Sequence, residues 1–336
     1  VERKIIKMGD SSLVVSLPKP WVEKAQISKG SIVEVEEIAT GELIVKPKKT
    51  KIKKNEVDIT DLRHLDKSIT DSYINGAEII RIIPREKSID PELMSIIYNT
   101  VNNLGGLEIT EASGKKVVIE YFGGTGMPLK KILSRFALIV TNHLKSLRTA
   151  YKENNAAELE TIKKIQETDK LYYTLLRNLI TASSSVRAAS EMQLTSKDPV
   201  YYTLLVKNLW EMAKLAENMD FYQTKYNEKV SYFFDKALEC HRASIEAWKT
   251  KNRKMALDTM EKIETLLKEL NVMEREITNF ERESPSTDKS ISRVAKVKEI
   301  VIGPEQHSLK SLLENIKEIF EYINRNLNVA TLISLE

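Results

Sequence analysis

Glycine, proline and cysteine are all scarce in this chain of 336 residues, which holds eleven, nine and one of them respectively. The glycine share is about half the usual one. Ten of the eleven (Gly9, Gly30, Gly41, Gly76, Gly105, Gly106, Gly114, Gly123, Gly124, Gly126) precede residue 127, and Gly303 stands alone after it. Glycine and proline punctuate chains at turns, so the first third is expected to turn often and the remainder to run in long helices. The single Cys240 excludes an internal disulfide framework and any multi-cysteine zinc or iron–sulfur site, and four scattered histidines offer no His-rich metal site. No apolar run is long enough to span a bilayer and no secretory h-region opens the chain, so a cytoplasmic protein without membrane insertion is expected.

Charge is abundant but nearly balanced, at a net +4. Its distribution is uneven. Residues 1–54 carry 12 Lys or Arg against 7 Asp or Glu, a surplus of 5, which leaves −1 for the rest of the chain. The basic excess therefore sits in one small N-terminal module.

That module reads as short strands with one brief helix. Ile5-Ile6 precede the turn Gly9-Asp10-Ser11-Ser12, and Leu13-Val14-Val15-Ser16-Leu17 follows as a β-rich run ended by Pro18. Pro20-Trp21-Val22 starts a helix that Gly30 is expected to close, Ser31–Glu36 alternates with period two, and Thr40-Gly41 turns into Glu42–Lys46. A unit this small cannot bury a sufficient core by itself, so dimerisation is expected. Residues 47–57 read as a basic linker. A small α+β segment follows at 58–122: a helix near 60–75, a strand at Glu78–Ile83, a helix from Asp90-Pro91 to Gly105-Gly106, and strands around Leu107–Ala112 and Lys116–Tyr121. Gly123-Gly124-Thr125-Gly126 reads as a hinge.

Beyond residue 127 apolar residues recur at three and four, as in Ile132, Phe136, Ile139, Val140, His143 and Leu144. Six such stripes with short connections predict two three-helix bundles, at 127–220 and 221–336. The polar stretch Glu283–Ser290 reads as a loop, and the segment containing Val294, Val297 and Ile300–Ile302 has no assignable structure.

Chemistry-bearing patterns are few. The Gly9 turn lacks both phosphate-loop spacings and precedes a strand. Cys240 and His241 are helix neighbours whose side chains diverge by about 100 degrees, too far to act as nucleophile and base. With His143 they read as core residues, while His64 and His307 read as exposed. No convergent acid, base or nucleophile exists, so no enzyme activity, catalytic residue or cofactor is expected. The basic set is more specific. Arg3, Lys4 and Lys7 flank the first strand, Ser11 and Ser12 lie at its turn and Lys19 follows the second strand, a set suited to DNA phosphates when doubled in a dimer.

The run Arg3-Lys4-Ile5-Ile6-Lys7-Met8-Gly9-Asp10-Ser11-Ser12 through Leu17-Pro18-Lys19-Pro20-Trp21, continuing through Lys29-Gly30-Ser31 to Val33-Glu34-Val35, resembles the SpoVT/AbrB family. The resemblance implies a swapped-hairpin β-barrel built by two chains, its first strand and turn facing DNA. MazE-type antitoxins of that family often carry arginine where this chain has Ser16. With the α+β segment and the helical region behind it, the chain looks like archaeal-type PhoU-family phosphate uptake regulators. Glu167–Tyr173, Leu175–Leu179 and Leu313–Glu318 carry that likeness.

The PhoU resemblance implies regulation of phosphate uptake through a transporter ATPase or a sensor protein. It also implies metal clusters held by E/D-x-x-x-D pairs, from which this chain departs. Trp210 and Lys214 stand at one matching pair, Asp169 has Ile165 four residues before it, and only Glu314 and Glu318 keep the spacing, with Glu274 as a contributor. No metal is therefore expected in the first bundle. The whole reads as a multi-domain homodimer: a SpoVT/AbrB-like module at 1–50, the α+β connector, and the all-α PhoU-like pair of bundles. Its expected function is phosphate-responsive control of transcription through DNA binding, with a non-DNA-binding adaptor of a phosphate transporter as the alternative and an antitoxin as a third option.

Overall fold

The structure is a computed structural model that describes residues 2–37, 41–47, 55–85, 88–123, 128–163, 167–220, 224, 226–283 and 304–335. Residues 124–126 of the expected hinge, Ile165 of an apolar stripe, residues 284–290 of the expected loop and the unassigned segment from Val294 to Ile302 lie outside the described residues. The chain divides into two compact units, Val1–Lys54 and Asn55–Glu336. A small strand-rich N-terminal region thus precedes a mostly helical one.

In the first unit β1 (Ile6–Met8) and β2 (Ser12–Val14) form one antiparallel hairpin, and β3 (Val33–Glu37) and β4 (Leu43–Pro47) form another. Between them lies α1 (Lys19–Lys24), which Pro20 starts because its missing N–H is not needed there. Gly30 does not close this helix. Gln26 does, at φ 54°, and Gly30 serves a separate turn in which the Ser31 N–H donates to the Ser28 carbonyl. No described residue of this unit is buried, and Ile6, Met8, Leu13, Ile32 and Leu43 are each more than 60% exposed.

The second unit opens with a strand absent from the sequence reading. β5 (Glu56–Ile59) lies partly in the stretch read as linker, and it pairs in parallel with β6 (Ile79–Ile82). α2 (Leu65–Ile74) connects the two. α3 (Pro91–Asn102) then leads to β7 (Leu107–Ala112) and β8 (Val117–Tyr121), giving the sheet order β5-β6-β8-β7. Asp90 caps α3 by accepting from the Leu93 N–H at 2.8 Å. Ile80, Ile82, Val117 and Ile119 share a core with Ile69 and Tyr73 of α2 and Ile97 and Val101 of α3.

Among the described residues six long helices follow: α4 (Leu129–Glu153), α6 (Glu167–Ser184), α8 (Asp198–Asn218), α9 (Glu228–Thr250), α10 (Arg253–Glu283) and α11 (Pro304–Ile333), with the short α5 (Ala156–Lys163) and α7 (Val186–Glu191) beside the first three. α4, α6 and α8 pack together, as do α9, α10 and α11. α4 also touches α9 and α8 touches α11, so both trios share one continuous core containing Phe136, Leu175, Leu209, Phe234, Ile263 and Phe320. Helix stops here use Asn154, Gln193 and Lys251, each left-handed at φ near 50°, where glycine is the usual choice. These three stops therefore dispense with glycine. Each such stop costs about 1–2 kcal/mol, an amount the shared core can offset.

Candidate nucleic-acid interface

All six residues proposed for DNA contact, Arg3, Lys4, Lys7, Ser11, Ser12 and Lys19, are exposed. The hairpin sorts them. Register pairs Ile6 with Val14, Lys7 with Leu13 and Met8 with Ser12. Side chains alternate across a strand, so Ser12 shares a face with Ile6, Met8 and Val14 while Lys7 shares the other with Leu13. Ser11 lies in the turn, where Gly9 at φ 71° supplies a conformation a larger residue adopts only under strain. Lys19 sits at the start of α1, 3.8 Å from the Glu23 carboxylate, which offsets part of its charge. Among the described residues none of the six bonds to another of the set, and Lys19 alone is given an ion-pair partner, Glu23.

Asp169 decides the metal question in the first bundle. Its Oδ1 accepts from the Trp210 indole at 2.8 Å and its Oδ2 from the Lys214 ammonium at 2.9 Å, and Lys214 also reaches Glu217 at 2.8 Å. Burial opposes the lysine's charge, but these two carboxylates outweigh it and raise its pKa. The ammonium occupies the point where carboxylates from two helices converge, so this donor set does not fit a metal cluster. In the second bundle Lys317 lies 3.7 Å from Glu274 and donates to Asn271 at 2.7 Å, and Glu318 accepts from the Tyr322 hydroxyl at 3.1 Å. Glu314 and Glu318 are exposed. Among the described residues no cluster of His, Cys, Asp and Glu could hold a metal ion.

Sequence reasoning missed the joint that fastens the α+β layer to the bundle. Arg177 of α6 is buried, and its Nη1 donates to the carbonyls of Tyr73 at 2.5 Å and Ala77 at 3.0 Å, at the C-terminal end of α2. Its guanidinium lies over the Tyr121 ring at 3.9 Å and the Tyr73 ring at 4.9 Å. A cation there satisfies end-of-helix carbonyls and complements the helix dipole. The Tyr73 hydroxyl donates to the Gly105 carbonyl at 2.8 Å, and burial pushes its pKa up to about 12, so it stays a donor. Arg177 stands four residues beyond Tyr173 on the packed side of α6, which was the only local hint.

His143 and His241 pack in the core with Cys240, and His64 is exposed, while the His307 side chain lies outside the described residues. Both core imidazoles are fully buried: among the described residues His143 has no hydrogen-bond partner, and His241 has only a weak approach to the Ala137 carbonyl. Burial lowers each to about pKa 4, helped at His143 by the Lys214 charge.

Residues 6–53, which hold the two hairpins, the basic first strand and the Gly-Asp-Ser turn, match the family model of MazE_antitoxin, described as "Antidote-toxin recognition MazE, bacterial antitoxin". The match covers the N-terminal unit alone. No curated protein and no solved structure matches the chain. Among the described residues no helix is long and apolar enough to cross a membrane.

Proposed function

We propose that the chain is a dimeric, phosphate-responsive transcription regulator whose N-terminal units bind DNA together. One observation supports this most: a module matching a MazE/AbrB-type family, basic in charge, buries none of its described residues in a single chain. Ile6, Met8 and Val14 then meet their counterparts in a second copy, closing a swapped-hairpin barrel and doubling the charges of Arg3, Lys4, Lys7 and Lys19 on one assembly. Those cations supply the electrostatic contact to phosphates, and Ser11 and Ser12 add neutral hydrogen bonds. The phosphate link comes from the likeness of the two helix trios to PhoU-family regulators. On this reading the second unit relays phosphate status without catalysis of its own.

Gel-shift titration across a salt series tests the DNA arm. The slope of log affinity against log salt should shrink by about 0.9 for each phosphate contact removed, counted twice in a dimer, when Lys4→Ala or Lys7→Ala is introduced. Affinity indifferent to salt and to both substitutions defeats it.

A specific feature favours the adaptor reading as the alternative. Tyr232 of α9 and Val272 of α10 are 41% and 53% exposed over a groove of about 340 Å³, the kind of apolar surface a partner covers. Retention of a phosphate transporter ATPase by the purified chain, with no retention of DNA, would select the adaptor.

A further inference from the structure

The α+β layer holds an open cleft of about 880 Å³ at the carboxyl ends of its two parallel strands. Thr60 to Arg63 follow β5, Pro84 and Arg85 follow β6, and the first turn of α3 forms the remaining wall. The loops that leave these strand ends gather here, and the volume suits a small organic molecule.

Accounting for the charges in the wall identifies what it would take. Arg63 and Asp61 close on one another, the Arg63 Nε lying 3.1 and 3.0 Å from the two carboxylate oxygens and Nη2 2.6 Å from one of them. The Arg63 hydrogen bond holds the Asp61 carboxyl down at about pKa 2, so this pair stays ionised and self-satisfied. Asp90 is engaged by the Leu93 N–H. Among the described residues that leaves one free cation, Arg85, facing two carboxylates, Glu92 without a partner and Asp90 still charged with one oxygen spent on its cap, in a wall whose apolar part is Leu62, Pro84, Leu93 and Ile96. A plain anion would meet the Glu92 and Asp90 charges, and a plain cation would meet Arg85.

We infer that this cleft binds a small zwitterion with an apolar side chain, an α-amino acid or a short peptide, its carboxylate on Arg85, its ammonium on Glu92 and its side chain on Leu62, Leu93 and Ile96. Thr60 lies six residues beyond Lys54, the last residue of the N-terminal unit. Calling the ligand an effector rests on the regulator reading. Its binding does not.

Isothermal titration calorimetry on the full chain tests the site, with L-leucine and L-leucyl-L-leucine as probes and 4-methylpentanoate and isoamylamine as half-molecules lacking one charge. At least one zwitterion should bind, with each half-molecule weaker by about tenfold or more, the value of one charge-assisted hydrogen bond. Whichever zwitterion binds more tightly identifies the source. Arg85→Ala and Glu92→Gln remove exposed, unpaired charges, so each should weaken binding about tenfold while leaving the thermal melt unchanged. Three results would overturn the inference: no zwitterion binding up to about 10 mM, half-molecules equal to the zwitterions, or binding unaffected by both substitutions. A gel shift run alongside reads the DNA arm separately, so failure of one does not imitate failure of the other.

Discussion

The two units solve the problem of burial in opposite ways. The second joins six long helices through one continuous core and pins a four-stranded sheet to it, whereas the first buries no described residue and presents its apolar side chains on open hairpins. Local secondary structure can therefore be present where burial is not, and on the dimeric reading the missing part of the first unit comes from a second copy.

Substitutions should separate the two. Phe320→Ala in the shared core should cost about 3–5 kcal/mol by emptying a fully enclosed site, read as a fall in the main calorimetric transition. Acid should act nearly as strongly. His143 and His241 stay neutral in the fold down to about pH 4, while the unfolded chain takes up protons from about pH 6.5. Stability is thus complete above pH 6.5 and is lost as pH falls toward 4, on the order of 3 kcal/mol for each imidazole. Melting temperatures between pH 7.5 and 4.5 should show this slope, and His143→Leu or His241→Leu should flatten it. Arg177→Lys should cost about 2–3 kcal/mol despite keeping the charge, because an ammonium cannot stack on both rings while serving both carbonyls, and urea titration would read it. Leu13→Ala belongs at the small end. It should leave the main transition within about 0.5 kcal/mol while weakening the dimer, seen by analytical ultracentrifugation. A large loss in the main transition would break the contrast between the units.

Much of this contrast was legible in the sequence, for local reasons. Apolar residues at three-and-four spacing marked the long helices, and Asp90-Pro91 marked the start of α3, because helical periodicity and capping are written in neighbouring residues. β5 was not legible. Glu56-Val57-Asp58-Ile59 follows a lysine run and carries two apolar residues, and it is a strand because of parallel pairing with β6 across an intervening helix. Arg177 was missed for a related reason: an arginine on a helix ordinarily faces water, and its carbonyl partners come from about a hundred residues away in the chain. In the candidate interface, the basic residues and the turn were legible, but the division of Lys7 and Ser12 between opposite faces needed the register. Gln26 closes α1 where Gly30 was expected because a left-handed stop can be made by other residues at modest cost.

The joint at Arg177 also governs how the protein can be dissected. A fragment beginning at the first long helix would uncover a guanidinium that is otherwise enclosed by two tyrosine rings and two carbonyls. A fragment ending before it would leave the last turn of α2 without its cation. Even a single methyl group is too much at the seam, where a side chain on Gly105 would stand 2.5 Å from the Thr174 hydroxyl and one on Gly106 would stand 2.8 Å from Gly123. The division that respects both units therefore falls between Lys54 and Asn55, and the piece that begins at Asn55 should be handled as indivisible.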